Sequence, residues 1–508
     1  MMAAGAEHRA GDRDTALQSA RSLQAFRWMC LCLALAWLLA VSMAVVSAVD
    51  AHPDEAQHIA AGTYYLTQWL PPGADEAALL PSLSHYGYTY LGDVDVSYFL
   101  AGKLASLLPA IAPYEHLRFR VFNLLLFLVL IAVYAARRDL FSPLVLLLLT
   151  PQLWYVFSYF NNDGLPLFLA LLLADAAFGS RGRVAGALSG PWRPASLLPL
   201  LGSGVLLGLL VLTKSNYLPV VGFVVFVALW RAFGLAAAVI PVASAGPYLA
   251  HARGFGAIPP GVARVALALG VATLASVAAL RAWRSRPTRT AMARAAVVLL
   301  AAFAVAAPPL AYDRIANDAG PQKASALSAI AEKHADPAYR PSEASRAESF
   351  FGLRLRDKGV ALHELLLPPW NWPIQTQKSF TGYYGYMTIH GPAAYYIAMF
   401  ALHLLLLAYV SRAILVRGEP TERWLLAFAV AFSAGVVLLS FYHSWFNDFQ
   451  AQGRYLFPVL ALLAIPFTRS GGHLRARFVP ALLGTLFVLS ASSFVFVGLR
   501  KIPKVLGP

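Results

Sequence analysis

The segment Trp28–Val49 reads WMCLCLALAWLLAVSMAVVSAV and contains no charged residue. A helix that crosses the hydrocarbon core of a bilayer needs about 20 apolar residues. The apolar region of a cleaved secretory signal is shorter, about 7–15 residues. The segment therefore predicts an uncleaved first transmembrane helix. Arg21 and Arg27, which precede it, predict a cytoplasmic N-terminus.

Similar apolar segments recur along the 508-residue chain, which is 59% hydrophobic and 13% charged. Soluble domains are about 45–50% apolar and about 25% charged, so this composition excludes a water-soluble enzyme and a disordered chain. We predict an all-α polytopic membrane protein, a bundle of about 13 transmembrane helices. The predicted spans are 28–49, 119–136, 139–157, 164–179, 196–213, 217–230, 235–250, 262–280, 292–312, 393–416, 424–441, 455–468 and 478–498.

The polar segments between the spans suggest how the chain is organised. Two long loops are predicted to face outward, and the first contains a semi-apolar stretch, 96–112, that favours helices lying along the membrane interface. The predicted parts are a disordered cytoplasmic tail (1–26), the transmembrane domain (27–499) with its outer loops (49–118 and 313–391), and a C-terminal tail (500–508).

The formal net charge is +15. In a membrane protein, this excess is typical of Lys and Arg in cytoplasmic loops rather than of nucleic-acid binding. Arginine clusters after alternate spans agree with that rule, whereas Arg500, Lys501 and Lys504 are predicted to lie outside. The clusters predicted inside are Arg137 with Arg138; Arg181, Arg183 and Arg193; Arg231; Arg281 to Arg289; Arg412 with Arg417; and Arg469, Arg475 and Arg477.

Two carboxylates follow the first span directly, in the stretch His52-Pro53-Asp54-Glu55-Ala56-Gln57-His58. Ionisable groups so close to the hydrocarbon core are costly and are often functional. A poorly hydrated carboxylate there suits a general base that acts on a hydroxyl or an amine. The alternative is structural: Asp54 could cap a helix that runs to Tyr65.

A second acidic site follows the third predicted span, in Asn161-Asn162-Asp163-Gly164. Asn, Asp and Gly are ordinary turn residues, so a plain turn is the alternative. The coincidence of two acidic sites at one membrane face favours function.

Basic residues are predicted at the same level. Lys214 and Arg454 stand at span ends, and Lys103 and Lys378 lie in the two long loops. Lone cations at span ends often only extend toward the interface. The functional interpretation is that some of these residues bind a phosphate at the bilayer surface.

Cofactor motifs are missing from the sequence. It holds no HExxH pattern, no Cys/His set with zinc spacing, no Walker A loop and no dinucleotide fingerprint. We therefore predict no metal and no cofactor, with a divalent cation shared by Asp54 and Asp163 as an alternative.

Taken in order along the chain, several short stretches carry a resemblance to a known family. They are Pro53-Asp54-Glu55 with His58, Arg120 to Leu124, Ser158 to Asp163, Gly208 to Lys214, Ser379 to Tyr386, and Gln452 to Tyr455 with Pro458. The chain resembles the bacterial membrane proteins grouped as domain of unknown function 2142, within the GT-C superfamily of glycosyltransferases that use polyprenyl-phosphate sugars.

The resemblance implies a GT-C-like bundle in the bacterial cytoplasmic membrane, with its active face periplasmic or extracellular. It implies an inverting enzyme that transfers a sugar from a polyprenyl-phosphate donor to an unidentified glycan, lipid or protein. A lipid or solute transporter, or a non-catalytic membrane protein of envelope polysaccharide assembly, is the alternative; Asp175 is its main acidic candidate within a span. The expected roles are catalysis for Asp54, Glu55 and Asp163; donor-phosphate binding for Lys214, Arg454 and Lys103; and substrate binding for His58, Asn161, Asn162, Lys378, Tyr383 and Tyr384.

Overall fold

The computed structural model describes residues 2–178, 194–235, 238–240, 286–317 and 321–505, apart from positions 75, 112 and 476. Within these ranges the chain is mostly helical. The helices are α1 (Met2–Val46), α2 (Glu55–Tyr64), α3 (Glu76–Leu79), α4 (Val96–Ala105), α5 (Leu117–Arg137), α6 (Pro151–Ser158), α7 (Gly164–Phe178), α8 (Leu197–Val211), α9 (Leu218–Phe233), α10 (Arg286–Ala316), α11 (Pro321–His334), α12 (Trp372–Gly382), α13 (Ala393–Arg417), α14 (Pro420–Phe446), α15 (Phe457–Arg469) and α16 (Phe478–Ser493).

Shorter elements join these helices. A ribbon of two antiparallel strands, β1 (Tyr383–Tyr384) and β2 (Ile389–His390), lies between α12 and α13, and a π-helical turn, Phe494–Leu499, continues α16. Single turns of 3-10 helix occupy Leu80–Ser82, Pro143–Leu148, Pro194–Ser196, Ser215–Tyr217, Pro337–Tyr339, Leu362–Leu366, Gly453–Leu456 and Gly471–His473.

Seven of the described helical segments are long and apolar enough to cross a membrane. This finding supports a polytopic α-helical membrane protein, although the described residues do not reach the predicted count of about 13 spans. The predicted spans 235–250 and 262–280 fall mostly outside the described residues. The seven segments are Ser22–Val46, Leu117–Arg137, Pro194–Val211, Met292–Ala316, Ala393–Arg417, Pro420–Phe446 and Phe478–Leu499, and two shorter apolar helices are Gly164–Phe178 and Ser215–Trp230.

The predicted span 139–157 is not one long helix. It consists of the 3-10 turn Pro143–Leu148 followed by α6, which begins at Pro151. Proline lacks the N–H that would continue a helix but is well suited to the first helical position. The Thr150 hydroxyl caps the new helix by accepting a hydrogen bond from the backbone N–H of Gln152, at 3.3 Å. The apolar segment is therefore divided, and α6 ends beside the candidate site.

The N-terminal region also differs from the expectation. The structure has α1 continuous from Met2 to Val46, where the sequence predicts a disordered tail over 1–26. The polar first half of this segment is rich in good helix formers such as Ala, Arg, Glu and Gln. Helix growth from an existing apolar helix also needs no new nucleus, which accounts for the longer helix.

The two long loop regions lie at the same end of the bundle, which we call the loop end. Asn317 Oδ1 accepts a hydrogen bond from the Ala74 N–H at 2.6 Å. The Asp336 N–H donates to the His85 carbonyl at 3.0 Å. The predicted interfacial stretch forms α4, whose ten residues are too few to cross a bilayer. Residues of both loops can therefore form one site.

Charged residues lie at both ends of the bundle. Helix α5 begins at the loop end and finishes at Arg137, whose guanidinium pairs with Asp175 at 2.9 Å. Asp175 also accepts a hydrogen bond from the Ser142 hydroxyl at 2.7 Å. Lys504 lies at the loop end instead, where its backbone forms an isolated antiparallel β-bridge with that of Ser47, just beyond the end of α1.

Small residues bring α8 close to α10. A Cβ on Gly204 would lie 2.4 Å from the carbonyl oxygen of Val298, and one on Gly208 would lie 2.6 Å from that of Ala302. This Gly-x-x-x-Gly spacing is typical of close helix contacts in membranes. Gly204 contacts Val298, and Gly208, four residues later, contacts Ala302, so α8 and α10 run parallel. Both helices therefore end at the loop end, where Lys214 follows α8.

Candidate functional site

Three charged side chains from distant parts of the sequence meet at the loop end, and we call them the charge cluster. Asp163 precedes α7, Lys214 follows α8, and Arg454 lies in the turn before α15. The Lys214 Nζ is 2.6 Å from Asp163 Oδ1, and the Arg454 Nη1 is 3.6 Å from Asp163 Oδ2. The Asp163 side chain is 1% exposed. Within this cluster, two cations therefore face one buried carboxylate.

Asn161 fixes the loop that presents Asp163. Its amide nitrogen donates to the carbonyls of Val156 and Tyr159, at 2.7 and 3.0 Å. Its side-chain oxygen accepts from the N–H groups of Asp163 and Gly164, at 2.8 and 3.1 Å. Both polar atoms of this buried side chain are thus engaged within the loop. The structure gives Asn161 a positioning role instead of the predicted contact with substrate.

Arg454 is held by a close approach between two chain segments. A Cβ on Gly453 would lie 2.2 Å from the backbone nitrogen of Phe380, so only glycine fits there. The Gly453 N–H donates to the Ser379 hydroxyl at 2.6 Å. Gln452 accepts a hydrogen bond from the Arg454 Nε at 2.6 Å. These contacts dock the turn onto the end of α12 and fix the guanidinium beside Asp163.

Asp95 belongs to the same neighbourhood, and the sequence reasoning missed it. Its carboxylate accepts from the Asn162 amide at 3.0 Å and from the Ser97 N–H at 2.9 Å, where it caps α4. Burial raises the pKa of this carboxyl, and the nearby Lys214 opposes that shift. The available signal was the stretch Gly92-Asp93-Val94-Asp95 just before an apolar helix, because Asp is a preferred N-cap residue.

Asp54 is half-buried and stands at the start of α2 with a left-handed backbone, φ 57°. Asp54 occupies the N-cap position of this helix, as the structural alternative expects, and its carbonyl accepts the hydrogen bond of the His58 N–H at 3.0 Å. Its side chain, however, makes no capping hydrogen bond. Its backbone N–H donates to the Tyr386 hydroxyl at 3.3 Å. Within the described residues, no ion pair or hydrogen bond engages the carboxylate, whose charge acts on Arg454 and Tyr159.

Glu55 has a different role from its neighbour. Its carboxylate binds the Arg120 guanidinium through two contacts of 2.7 and 2.6 Å, and both side chains are fully buried. Arg120 also donates to the carbonyls of Ala44, Ser47 and Ala48, at 2.6, 2.8 and 2.9 Å. This pair ties the end of α1 to α2 and α5. The predicted catalytic role of Glu55 is thus replaced by a structural one.

A shallow cleft opens beside Arg454. Its floor is fixed by a buried hydrogen-bond chain. The Ser47 hydroxyl donates to the Met43 carbonyl at 2.6 Å, so at 2.7 Å it accepts from the His52 Nε2. The cleft is lined by Pro53, Gln152, Tyr155, Tyr159, Ser379, Tyr383, Gly385, Met387, Gln452, Gly453 and Arg454.

The hydrogen-bond chain continues from His52 to the cleft wall. Because neutral histidine carries one N–H, the His52 Nδ1 accepts from the Tyr155 hydroxyl, at 2.8 Å. The same hydroxyl accepts from the Gly385 N–H at 2.8 Å. Tyr159, stacked on His52 with ring centroids 4.6 Å apart, reaches the Arg454 guanidinium at 3.4 Å. Every group in this hydrogen-bond chain has a partner, so the cleft wall is pre-organised.

The buried histidines predict how stability depends on pH. Burial lowers the pKa of His52 and of His58 well below 6.5, helped by Arg120 and by Arg454 respectively. The unfolded chain binds more protons below pH 6.5. The buried histidines should therefore not reduce the free energy of unfolding above about pH 7.5. It should fall as the pH drops toward 5, by up to about 1.4 kcal/mol per histidine and pH unit.

Thermal unfolding in detergent at several pH values measures this dependence. His58→Gln removes one of the buried imidazoles, which is bonded to the Tyr98 hydroxyl at 2.8 Å. We expect a shallower loss of stability on acidification in that variant. A slope equal to that of the wild type would contradict the assignment.

The remaining predicted site residues divide between the cleft and other places. Tyr383 lines the cleft, whereas Tyr384, its neighbour on β1, is fully buried and bonded to Ser493, because successive side chains of a strand point to opposite faces. Lys103 lies over the Trp69 ring at 4.2 Å and Lys378 over that of Tyr396 at 5.9 Å, so neither joins the charge cluster.

The fit of a divalent cation can be tested on the donor set. Among the residues the structure describes, no group of three or more His, Cys, Asp or Glu side chains is arranged to hold a metal ion. Asp163, which would share the ion with Asp54, already faces Lys214 and Arg454, and these would repel it. The donor set does not fit a divalent cation.

Comparison with known proteins adds no relative. No family model, no curated protein and no solved structure matches the chain. The resemblance to the domain of unknown function 2142 and to the GT-C superfamily therefore stays a prediction. The function has to be inferred from the site itself.

Proposed function

We propose that this chain is an integral-membrane glycosyltransferase with a GT-C-like architecture. It transfers a sugar from a polyprenyl-phosphate donor to an acceptor of the cell envelope. The observation that carries the proposal is the charge cluster beside the cleft, with the unpaired carboxylate of Asp54 nearby. A lipid-linked sugar phosphate presents an anion, which suits the charge cluster, and a polar ring, which suits the cleft. Its apolar tail would stay in the bilayer.

The direction in the membrane follows from charge. Arginines such as Arg137, Arg417 and Arg469 lie at the ends of α5, α13 and α15 that are remote from the loop end. Under the positive-inside rule, that side is cytoplasmic, and the loop end faces the periplasm or the exterior. The proposed location is the bacterial cytoplasmic membrane.

The reaction divides between one base and two cations. The Asp54 carboxylate takes the proton of an acceptor hydroxyl or amine, whose lone pair attacks the anomeric carbon with inversion. The bond from that carbon to the phosphate oxygen breaks, and polyprenyl phosphate leaves with the bonding electrons. Its phosphate gains one negative charge. Lys214 and Arg454 stabilise this change, and such pre-organised electrostatic effects are often the largest in catalysis.

Replacing the base tests the proposal. Purified protein in proteoliposomes is supplied with a labelled polyprenyl-phosphate sugar and an envelope extract as acceptor. We expect label in a non-lipid or modified-lipid product, and a rate lower by about 10²–10⁴-fold in Asp54→Asn. Asp93→Asn, which alters an exposed carboxylate of the same loop, serves as the matched control and should keep the wild-type rate.

Two outcomes would count against this assignment. Normal turnover in Asp54→Asn would refute the assigned base. Movement of the unmodified lipid-linked sugar across the proteoliposome membrane, with no covalent product, would favour the transporter. The contacts of Asp175 already weaken that class, because Arg137 and Ser142 bind its carboxylate.

A further inference from the structure

One buried polar group beside the cleft has no partner in the protein. Gln152 is the second residue of α6, is only 7% exposed and lines the cleft. Its side-chain oxygen is buried without a hydrogen bond. Among the described residues, no contact satisfies this carboxamide. Most buried polar groups in proteins are hydrogen-bonded, and an exception needs an explanation.

The surroundings of Gln152 indicate what the missing partner is. The cleft combines hydroxyl, amide and aromatic groups, from Ser379, Gln452, Tyr383 and Tyr155. A carboxamide both donates and accepts, so it can bind two adjacent hydroxyl groups of one ligand. These groups suit a polyhydroxylated ligand better than an acyl chain.

Arg454 connects this cleft with the charge cluster. Its guanidinium lines the cleft and also lies 3.6 Å from Asp163. A phosphate held by Arg454 and Lys214 would therefore place its attached group in the cleft, toward Gln152. The group that lies next to the phosphate in the proposed donor is the sugar.

We infer that Gln152 is a specificity residue that hydrogen-bonds hydroxyl groups of the donor's sugar. It thereby lets the site distinguish the glycosylated lipid from the bare lipid phosphate that is left after transfer. The inference rests on the proposed function and adds the part of the substrate that the cleft binds. It concerns binding alone and requires no covalent step.

Binding of matched lipids tests the inference. The probes are farnesyl phosphate and its mannosyl, glucosyl and arabinosyl esters, titrated against the full-length protein in detergent. In the wild type, at least one ester should bind more tightly than farnesyl phosphate. Gln152→Met, which keeps the length but removes the amide, should reduce that preference by about 10–100-fold, the effect of one or two lost hydrogen bonds. Its affinity for bare farnesyl phosphate should not change.

Two controls separate folding from recognition. Because the amide has no protein partner to lose, Gln152→Met should unfold at a temperature no lower than that of the wild type. Gln68→Met, which alters an exposed glutamine of the first loop, should keep the preference for the ester.

The possible outcomes distinguish a failure of the role of Gln152 from a failure of the proposed function. An unchanged preference in Gln152→Met, or no ester that binds better than the bare phosphate, would overturn the role of Gln152. Farnesyl phosphate that binds equally to the wild type and to Arg454→Gln would instead overturn the phosphate site. Loss of the ester preference with retained phosphate binding would support both.

Discussion

Replacing Arg120 by leucine should lower the free energy of unfolding by about 3–5 kcal/mol, the largest stability effect we expect in this chain. The change leaves the Glu55 carboxylate buried without its counter-ion. It also removes the donor that satisfies three backbone carbonyls at the end of α1. Both losses occur where α1, α2 and α5 meet, so the loop that carries Asp54 loses its support.

Equilibrium unfolding in mixed micelles measures this effect. Arg118→Leu is the matched control, because Arg118 lies two residues earlier on α5 and has no ion pair among the described residues. It should cost less than about 1 kcal/mol. Combining Arg120→Leu with Glu55→Gln should recover part of the lost stability, since the unpaired charge is gone. A small effect of Arg120→Leu alone would show that the buried pair does not hold this junction.

The double variant Lys214→Met with Arg454→Gln should lose at least about 10³-fold of the transfer rate, the largest effect on activity that we expect. Removing one group that stabilises developing charge costs about 10²–10³-fold. The two cations share Asp163, so their effects will be less than additive. The initial rate of transfer from a labelled polyprenyl-phosphate sugar measures the loss.

A third substitution separates charge stabilisation from folding. The double variant leaves the 1%-exposed carboxylate of Asp163 without a partner, which is itself destabilising. Adding Asp163→Asn removes that charge and should restore thermal stability. It should not restore the rate, because the cations are still missing. Recovery of activity in the triple variant would mean that Lys214 and Arg454 act only as structural partners of Asp163.

The charge cluster was accessible from the sequence for a simple reason. Asp163, Lys214 and Arg454 each stand at the end of an apolar segment, and segment ends in a membrane bundle occupy only two levels. Alternation of direction along the chain then assigns all three residues to one level. The same logic assigned the two long loops to one face of the membrane. It could not give the contacts between the side chains, which depend on helix packing.

Other features lay beyond what a single sequence reveals. Asp54 and Glu55 are adjacent and chemically alike, and only the structure shows that Glu55 binds Arg120 whereas the Asp54 carboxylate has no ion pair among the described residues. Asn161 resembles any turn residue until its hydrogen bonds are seen. The break of the segment 139–157 at Pro143 and Pro151 was visible as prolines, but its apolar composition outweighed them in the prediction.

Gln152 is the clearest case of a residue without a sequence signal. It lies within an apolar segment, where a single amide is unremarkable, and only its unpartnered oxygen beside the cleft draws attention to it. Lys103 and Lys378 show the reverse. Their positions in the loops predicted phosphate contacts, yet each lies over an aromatic ring away from Asp163.

The most direct test of the lipid-phosphate site compares undecaprenyl phosphate with undecaprenol, which has the same tail and no phosphate. Affinities are measured for the purified wild type and for the triple variant at Asp163, Lys214 and Arg454. Two charge-assisted contacts should make the wild type bind the phosphate at least about a hundredfold more tightly than the alcohol. The triple variant should lose this preference. Equal affinities in the wild type, or a preference that persists in the triple variant, would contradict a lipid-phosphate site at the charge cluster.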